Sequence, residues 1–219
     1  MANENYLHRY TNIKYMMEIL KNKKLTLVSP VKWRNQSWVD RNDMKCLEMY
    51  EKRIGKNIYV ICFTKEQESN FYWDSFGGGI DCRISFDREK LIKEIKSTKG
   101  IHFGDIVYKK INVLKKEMEA NEITLGSIPF IKRWPYHKEE EYRIIWEGKK
   151  QDNDLKQIKI SLDSIISITL SDKYTKEKAD SYKNEIKSIK GLNLVSVTRG
   201  TIHEYDRWLK YMRDGIKNI

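Results

Sequence analysis

A chain of 219 residues is long enough to bury a core without disulfides or a structural metal, and it suits a single domain spanning residues 1–219. With 40 % hydrophobic and 33 % charged residues and only 11 Gly and 3 Pro, it is neither collagen-like nor disordered. Lys and Arg (42) outnumber Asp and Glu (31), giving +11; this fits either a phosphate-rich partner or lysines scattered through a Lys-, Ile- and Asn-rich chain, since there is no dense basic block.

Tyr6 to Thr11 reads as a first strand, and Asn12 caps a helix with Ile13, Met16, Met17, Ile19 and Leu20 on its apolar side. Leu25 to Val28 is a second strand, stopped by Pro30. Residues 31–43 read as a loop bearing Trp33 and Trp38, followed by a polar helix to about Arg53. The almost wholly apolar run Asn57 to Thr64 predicts a central strand buried on both faces. Ser69 to Phe76 is a short aromatic helix ended by Gly77-Gly78-Gly79, and Ile80 to Phe86 a strand. A helix over Arg88 to Ser97, a strand over Ile101 to Tyr108 and a helix over Lys109 to Asn121 come next. An irregular stretch with Pro129, Trp134 and Pro135 leads to the strand Glu141 to Trp146. Strands at Leu155–Leu162, Ile165–Leu170 and Leu192–Val197 and helices at Lys176–Ile189 and Ile202–Ile216 complete the chain. Seven to nine strands and five or six helices, without regular alternation, predict an α+β fold with a mixed, mostly antiparallel sheet flanked by helices.

No apolar run approaches the roughly 18–20 residues that span a bilayer, and the first six residues lack a basic region followed by an apolar one. Cys46, Cys62 and Cys82 are odd in number and form no C-x-x-C pair, which predicts a reduced, cytoplasmic setting. His8, His102, His137 and His203 are far apart, so no metal site is expected. The triple glycine matches neither a dinucleotide fingerprint nor a P-loop, and no G-x-S-x-G elbow is present.

Chemistry has three candidate places. In the first strand, His8 and Tyr10 face one side and Leu7, Arg9 and Thr11 the other. An inward arginine either grips an anion or makes a salt bridge at an edge. Around Thr64 the aromatic residues Phe71, Tyr72, Trp73 and Phe76 either stack on a heteroaromatic ring or fill the core. In Glu139-Glu140-Glu141-Tyr142-Arg143, period two puts Glu139, Glu141 and Arg143 on one face. That face is either a pair of working carboxylates beside a guanidinium or a solvated ion pair, and a one-residue slip turns Glu140 inward instead.

Five motifs occur in one order: His8-Arg9-Tyr10-Thr11, Leu25 to Pro30, Cys62-Phe63-Thr64, Trp73 to Gly79 and Glu139 to Arg143. In that order the chain resembles a bacterial and phage family known as domain of unknown function 2971, across nearly its whole length. It departs from that family at Trp33 to Trp38, where Asn-Asp-Pro is usual. More distantly, the three candidate places are similar to those of mono-ADP-ribosyltransferases, which implies a split sheet and NAD as substrate. By that resemblance Glu141 is the catalytic glutamate and Glu139 the acid that helps choose the acceptor. Arg9 grips the diphosphate, Thr64 with Tyr72 or Trp73 holds the nicotinamide ribose and ring, and Thr11 and Arg143 join them as cofactor-binding positions. The implied activity is transfer of ADP-ribose to a protein or nucleic-acid acceptor, as a toxin or phage-defence effector. The alternative is a nucleic-acid-binding or nucleic-acid-processing module without NAD chemistry. Under the first reading Arg9, Trp73 and Glu141 converge on one cleft.

Overall fold

The computed structural model describes residues 5–34, 40–75, 79–202 and 204–217. In chain order it places β1 (Tyr6–Thr11), α1 (Ile13–Asn22), β2 (Lys24–Val28), α2 (Arg41–Ile54), β3 (Asn57–Thr64) and α3 (Asn70–Ser75). Then follow β4 (Cys82–Asp87), α4 (Arg88–Ile95), β5 (Ile101–Asp105), β6 (Val107–Lys109), α5 (Ile111–Glu119), β7 (Ile131–Arg133) and β8 (Glu141–Gly148). The last elements are β9 (Leu155–Lys159), β10 (Ile165–Leu170), α6 (Lys176–Ser188), β11 (Ser196–Arg199) and α7 (Tyr205–Ile216). The fold is α+β: antiparallel pairings dominate, among the described residues only β10/β11 and β6/β7 are parallel, and helices flank the sheet.

Most predicted elements stand where the residues placed them, and the differences have local causes. The polar helix starts earlier than expected because Asp40 caps it, its carboxylate accepting from Asn42 N at 3.0 Å. The single strand expected over Ile101 to Tyr108 divides at Ile106: its N–H closes the pairing with β8 on Glu141 O, and from Val107 the chain pairs with β7 instead. The irregular stretch contains a strand, β7, between two turns of 3-10 helix. The strand expected at Leu192 starts at Ser196, because 192–195 is taken up by tight turns. Trp38, Phe76 to Gly78 and His203 lie outside the described residues.

The nine-stranded sheet is split. β3 is paired along its length with β8, from Asn57↔Gly148 to Thr64↔Glu141. On its other edge it meets β1 at one residue pair, His8↔Thr64, and β2 at one pair, Val28↔Val60. Beyond the first pair, β1 runs with β4, β10 and β11, while β3 runs with β8 and β5. Where the strands diverge, the Arg9 guanidinium donates to the Cys62 carbonyl at 3.0 Å, satisfying a backbone group that the ladder leaves open.

Two cores use the two faces of β3. Tyr59, Ile61 and Phe63 join the larger one with Met16 and Leu20 of α1, Leu91 of α4 and Ile186 of α6. Ile58 and Val60 join a smaller one with Leu47 and Tyr50 of α2. Alternation carries Cys62 and Thr64, and their β8 partners Arg143 and Glu141, onto that second face beyond the apolar patch. No helix among the described residues is long and apolar enough to cross a membrane.

Candidate active site

Glu141 begins β8, and its carboxylate is held from two sides. Oε1 accepts from Arg143 Nε at 2.7 Å and Oε2 from Lys132 Nζ at 3.0 Å. The Glu141 N–H is not a donor to spare, since it is bound to the Tyr108 hydroxyl at 2.9 Å. Arg143, 0 % exposed, also clasps Asp43 of α2 with both terminal nitrogens, at 3.1 and 2.7 Å, and donates to Pro129 O at 2.8 Å. Its donors are thus spent inside the protein. It holds Glu141 in place and is itself fully buried, so any part it takes in cofactor binding, as expected from the sequence, would be exerted through Glu141.

Glu139 reaches the same ammonium by a route that period two does not describe. It ends a 3-10 turn, and Glu140 then adopts a left-handed conformation (φ 40°, ψ 48°) before β8 begins. The shared face of Glu139 and Glu141 is therefore made by Lys132, which bridges both carboxylates, and by that turn. Glu140 points elsewhere, toward Lys65 at 3.9 Å.

The two carboxylates are pushed apart in acidity. Burial would raise both. At Glu141 the adjacent Arg143 and Lys132 overcome burial and hold the carboxyl well below the ordinary range. At Glu139 burial prevails over Lys132, and with the Glu141 charge beside it the group is pushed up to about 7. Lys132 itself is held protonated: burial alone would favour its neutral form, but Glu141, Glu139 and Asp43 raise it above the usual lysine value. One permanently charged carboxylate beside one poised near neutrality is a pattern that serves acid–base chemistry.

The strand register adds a row. His8, Thr64 and Glu141 are cross-strand neighbours on β1, β3 and β8 and share one face. All three are buried. Tyr72 and Trp73 of α3 lie over this side: the Tyr72 ring stacks on Tyr10 at 5.4 Å, Trp73 meets Tyr10 edge-on at 5.2 Å, and the Tyr72 hydroxyl donates to Lys138 O at 2.6 Å. The roof thus spans from β1 to the turn that carries Glu139. Thr64 Oγ1 accepts from Glu66 N at 3.0 Å, which fixes the hydroxyl at the end of β3.

Arg9 does not converge with these groups. Its register partner is Ile84 and its neighbour in the alternation is Leu7, both core residues, so it stands on the opposite face, as does Thr11 opposite Cys82. Thr64 and Glu141 are cross-strand partners, Glu139 shares Lys132 with Glu141, and Tyr72 and Trp73 pack on Tyr10 of the same sheet face, while Arg9 and Thr11 take the opposite face. The sequence reading missed Lys132, because a three-residue strand between two 3-10 turns carries no periodicity. It also passed over His8, although the alternation put His8 on the face away from Leu7. A cavity of about 660 Å³ lined by Thr201, Glu204, Arg207 and Trp208, among others, runs along α7. It shares no residue with the carboxylate cluster, and α7 has no buried side chain to build a site on.

No family model matches the chain, and no curated protein does, so the resemblance to the domain of unknown function 2971 family rests on motif order. Among solved structures, the chain is similar to Thermus sp. 2.9 DarT in complex with NAD+, with a TM-score of 0.43 and 11 % identity over 91 % of this chain and 98 % of that one.

Proposed function

We propose that the chain is an NAD-dependent ADP-ribosyltransferase. The observation that supports this most is the row His8–Thr64–Glu141 at the split of the sheet, ending in a carboxylate that Arg143 and Lys132 keep ionised. Breaking the nicotinamide–ribose bond sends its electron pair to nicotinamide and leaves positive charge on the ribose. A fixed carboxylate stabilises that charge in a site where water is scarce. Glu141 fills this role. Its oxygens already take Arg143 Nε, Lys132 Nζ and the Cys62 thiol, and the lone pair left over can hold a ribose hydroxyl. The acceptor oxygen or nitrogen then bonds to the ribose carbon, and its proton passes to Glu139, whose affinity for a proton near neutrality suits a general base. Tyr72 and Trp73 provide flat faces for the nicotinamide ring, and Thr64 a hydroxyl for the ribose. Arg143 and Lys132 act through the carboxylates.

The test uses labelled NAD in cell lysate with the purified protein and its Glu141→Gln form, folding being checked by circular dichroism. Label on a protein or nucleic acid with the unmodified chain alone supports the reading and identifies the acceptor class. Absence of both label and NAD consumption overturns it. Retention on nucleic acid that weakens across a salt series then favours the binding module.

A further inference from the structure

Among the described residues, four buried polar atoms on one patch of the sheet make no hydrogen bond of good geometry: His8 Nε2, Tyr10 Oη, and Arg83 Nε and Nη1, the Tyr10 hydroxyl lying close to Arg83 and to the Ser69 backbone. They are neighbours by register, Tyr10 opposite Arg83 and His8 opposite Ser85. Buried polar groups are paired in the great majority of cases, and leaving a guanidinium unpaired is the costliest omission. Arg83 is held only loosely. Its side chain is 12 % exposed, and its Nη2 lies 3.5 Å from Thr169 Oγ1 and 3.6 Å from Glu68 Oε2. The other Glu68 oxygen accepts from Trp73 Nε1 at 3.0 Å. His8 is 5 % exposed, with Nδ1 2.8 Å from Ser85 Oγ. With the serine hydroxyl donating to Nδ1, Nε2 carries the hydrogen and becomes a donor.

We infer that Arg83, His8 and Tyr10 form a binding site for a phosphoryl group. All four atoms can then donate, more than the two oxygens of a carboxylate use well, and a guanidinium fork matches phosphate oxygens. Burial and the nearby Arg83 charge lower His8 to about 4, so the imidazole stays neutral and the site carries one cation. Glu68 is the carboxylate nearest to Arg83 and would have to give way to an anion. A phosphoryl group that takes its place on Arg83 frees the contact to Trp73, so binding perturbs that indole. For NAD the assignment deepens the transferase reading and rests on it. It moves the diphosphate grip from Arg9 to the cation on the Glu141 face of the sheet. As an anion site it stands without NAD.

Calorimetric titration with inorganic pyrophosphate, ADP-ribose and NAD tests it, on the full chain and on Arg83→Met and Tyr10→Phe. The expected result is binding to the unmodified chain, weakened about tenfold or more by Arg83→Met and about threefold or more by Tyr10→Phe. Without ligand, Arg83→Met melts no lower than the unmodified chain, because it removes a poorly paired buried charge; a purely structural arginine would lower the melting temperature. If Arg83→Met does not fold, Tyr10→Phe decides alone. Binding of pyrophosphate but not of the nucleotides identifies free phosphate as the ligand. Arg83-dependent binding without NAD turnover keeps the site and removes the transferase reading. NAD turnover with the same KM in the unmodified chain and Arg83→Met overturns the site and keeps the transferase. Failure of all three ligands to bind the unmodified chain, or equal binding to the variants, overturns it.

Discussion

Arg143 is the residue on which the carboxylate cluster depends. Replacing it with Met leaves Asp43 and Glu141 buried with Lys132 as the shared cation, and the expected loss is about 3–5 kcal/mol in urea unfolding. Arg143→Lys restores little of this, since an ammonium cannot hold Asp43 in two places and Glu141 in a third. Two other buried groups give opposite pH slopes. Between about 4.5 and 7 the folded chain keeps a proton on Glu139 that the unfolded chain gives up, so stability from this group falls as pH rises. Between about 4 and 6.5 the folded chain lacks a proton on His8 that the unfolded chain binds, so stability from that group falls as pH drops. Unfolding midpoints at pH 5, 6 and 7 should therefore decline on acidification in Glu139→Gln and improve on acidification in His8→Gln. Alternation put Glu139, Glu141 and Arg143 on one side, with Glu140 as the alternative after a one-residue slip, and only the family resemblance singled out Glu141 and Thr64. The role of Arg143 was not legible, because alternation tells which face a side chain takes and not what packs against that face. Arg83 was hidden inside a run read as strand, although Arg83, Ser85 and Asp87 already alternate with Ile84 and Phe86.

Among the elements, β5 depends on one turn. Gly100 has φ +84°, and a Cβ there would meet Glu147 O at 2.3 Å. That carbonyl belongs to the residue whose N–H donates to Gly100 O at 2.8 Å, so neither backbone can withdraw without opening the β5/β8 pair. Gly100→Ala should cost about 1–3 kcal/mol, measured by chemical unfolding. The short helix α3 is another such element. It is tied down by the Tyr72 hydroxyl on Lys138 O and by Trp73 on Glu68, with Tyr10 beneath both rings. Tyr72→Phe removes the first tie and leaves the ring stack, with an expected cost of about 1 kcal/mol and faster limited proteolysis at residues 66–75. Long elements such as α1 and β3 were legible because burial and periodicity agree over many residues. The three-residue strand β7 was not, since its existence depends on pairing with β6, which no local pattern records.

At the scale of the molecule, the mixed, mostly antiparallel sheet follows from irregular alternation of strands and helices, while its pairing order does not. β1 opens the chain, yet its sheet half is completed by β10 and β11 near the other end. Such closure is decided by tertiary packing and leaves no trace in any window of sequence. Among the described residues the backbone is bridged at the seam by one residue pair and by the Arg9 guanidinium on Cys62 O, with the shared core beneath. Arg9→Met should cost about 1.5–3 kcal/mol, the worth of a charged hydrogen bond to a backbone carbonyl. The seam also sets how the protein breathes. The larger core runs beneath both halves and Phe63 meets Phe86 edge-on across the seam at 5.7 Å, but the backbone ladder there is one pair long, so β1 should open from β3 at a lower free energy than either half unfolds. Amide hydrogen exchange should therefore be faster along the β1/β3 seam than within β4 or β8, and Arg9→Met should speed exchange in β1 while leaving β8 at its original rate.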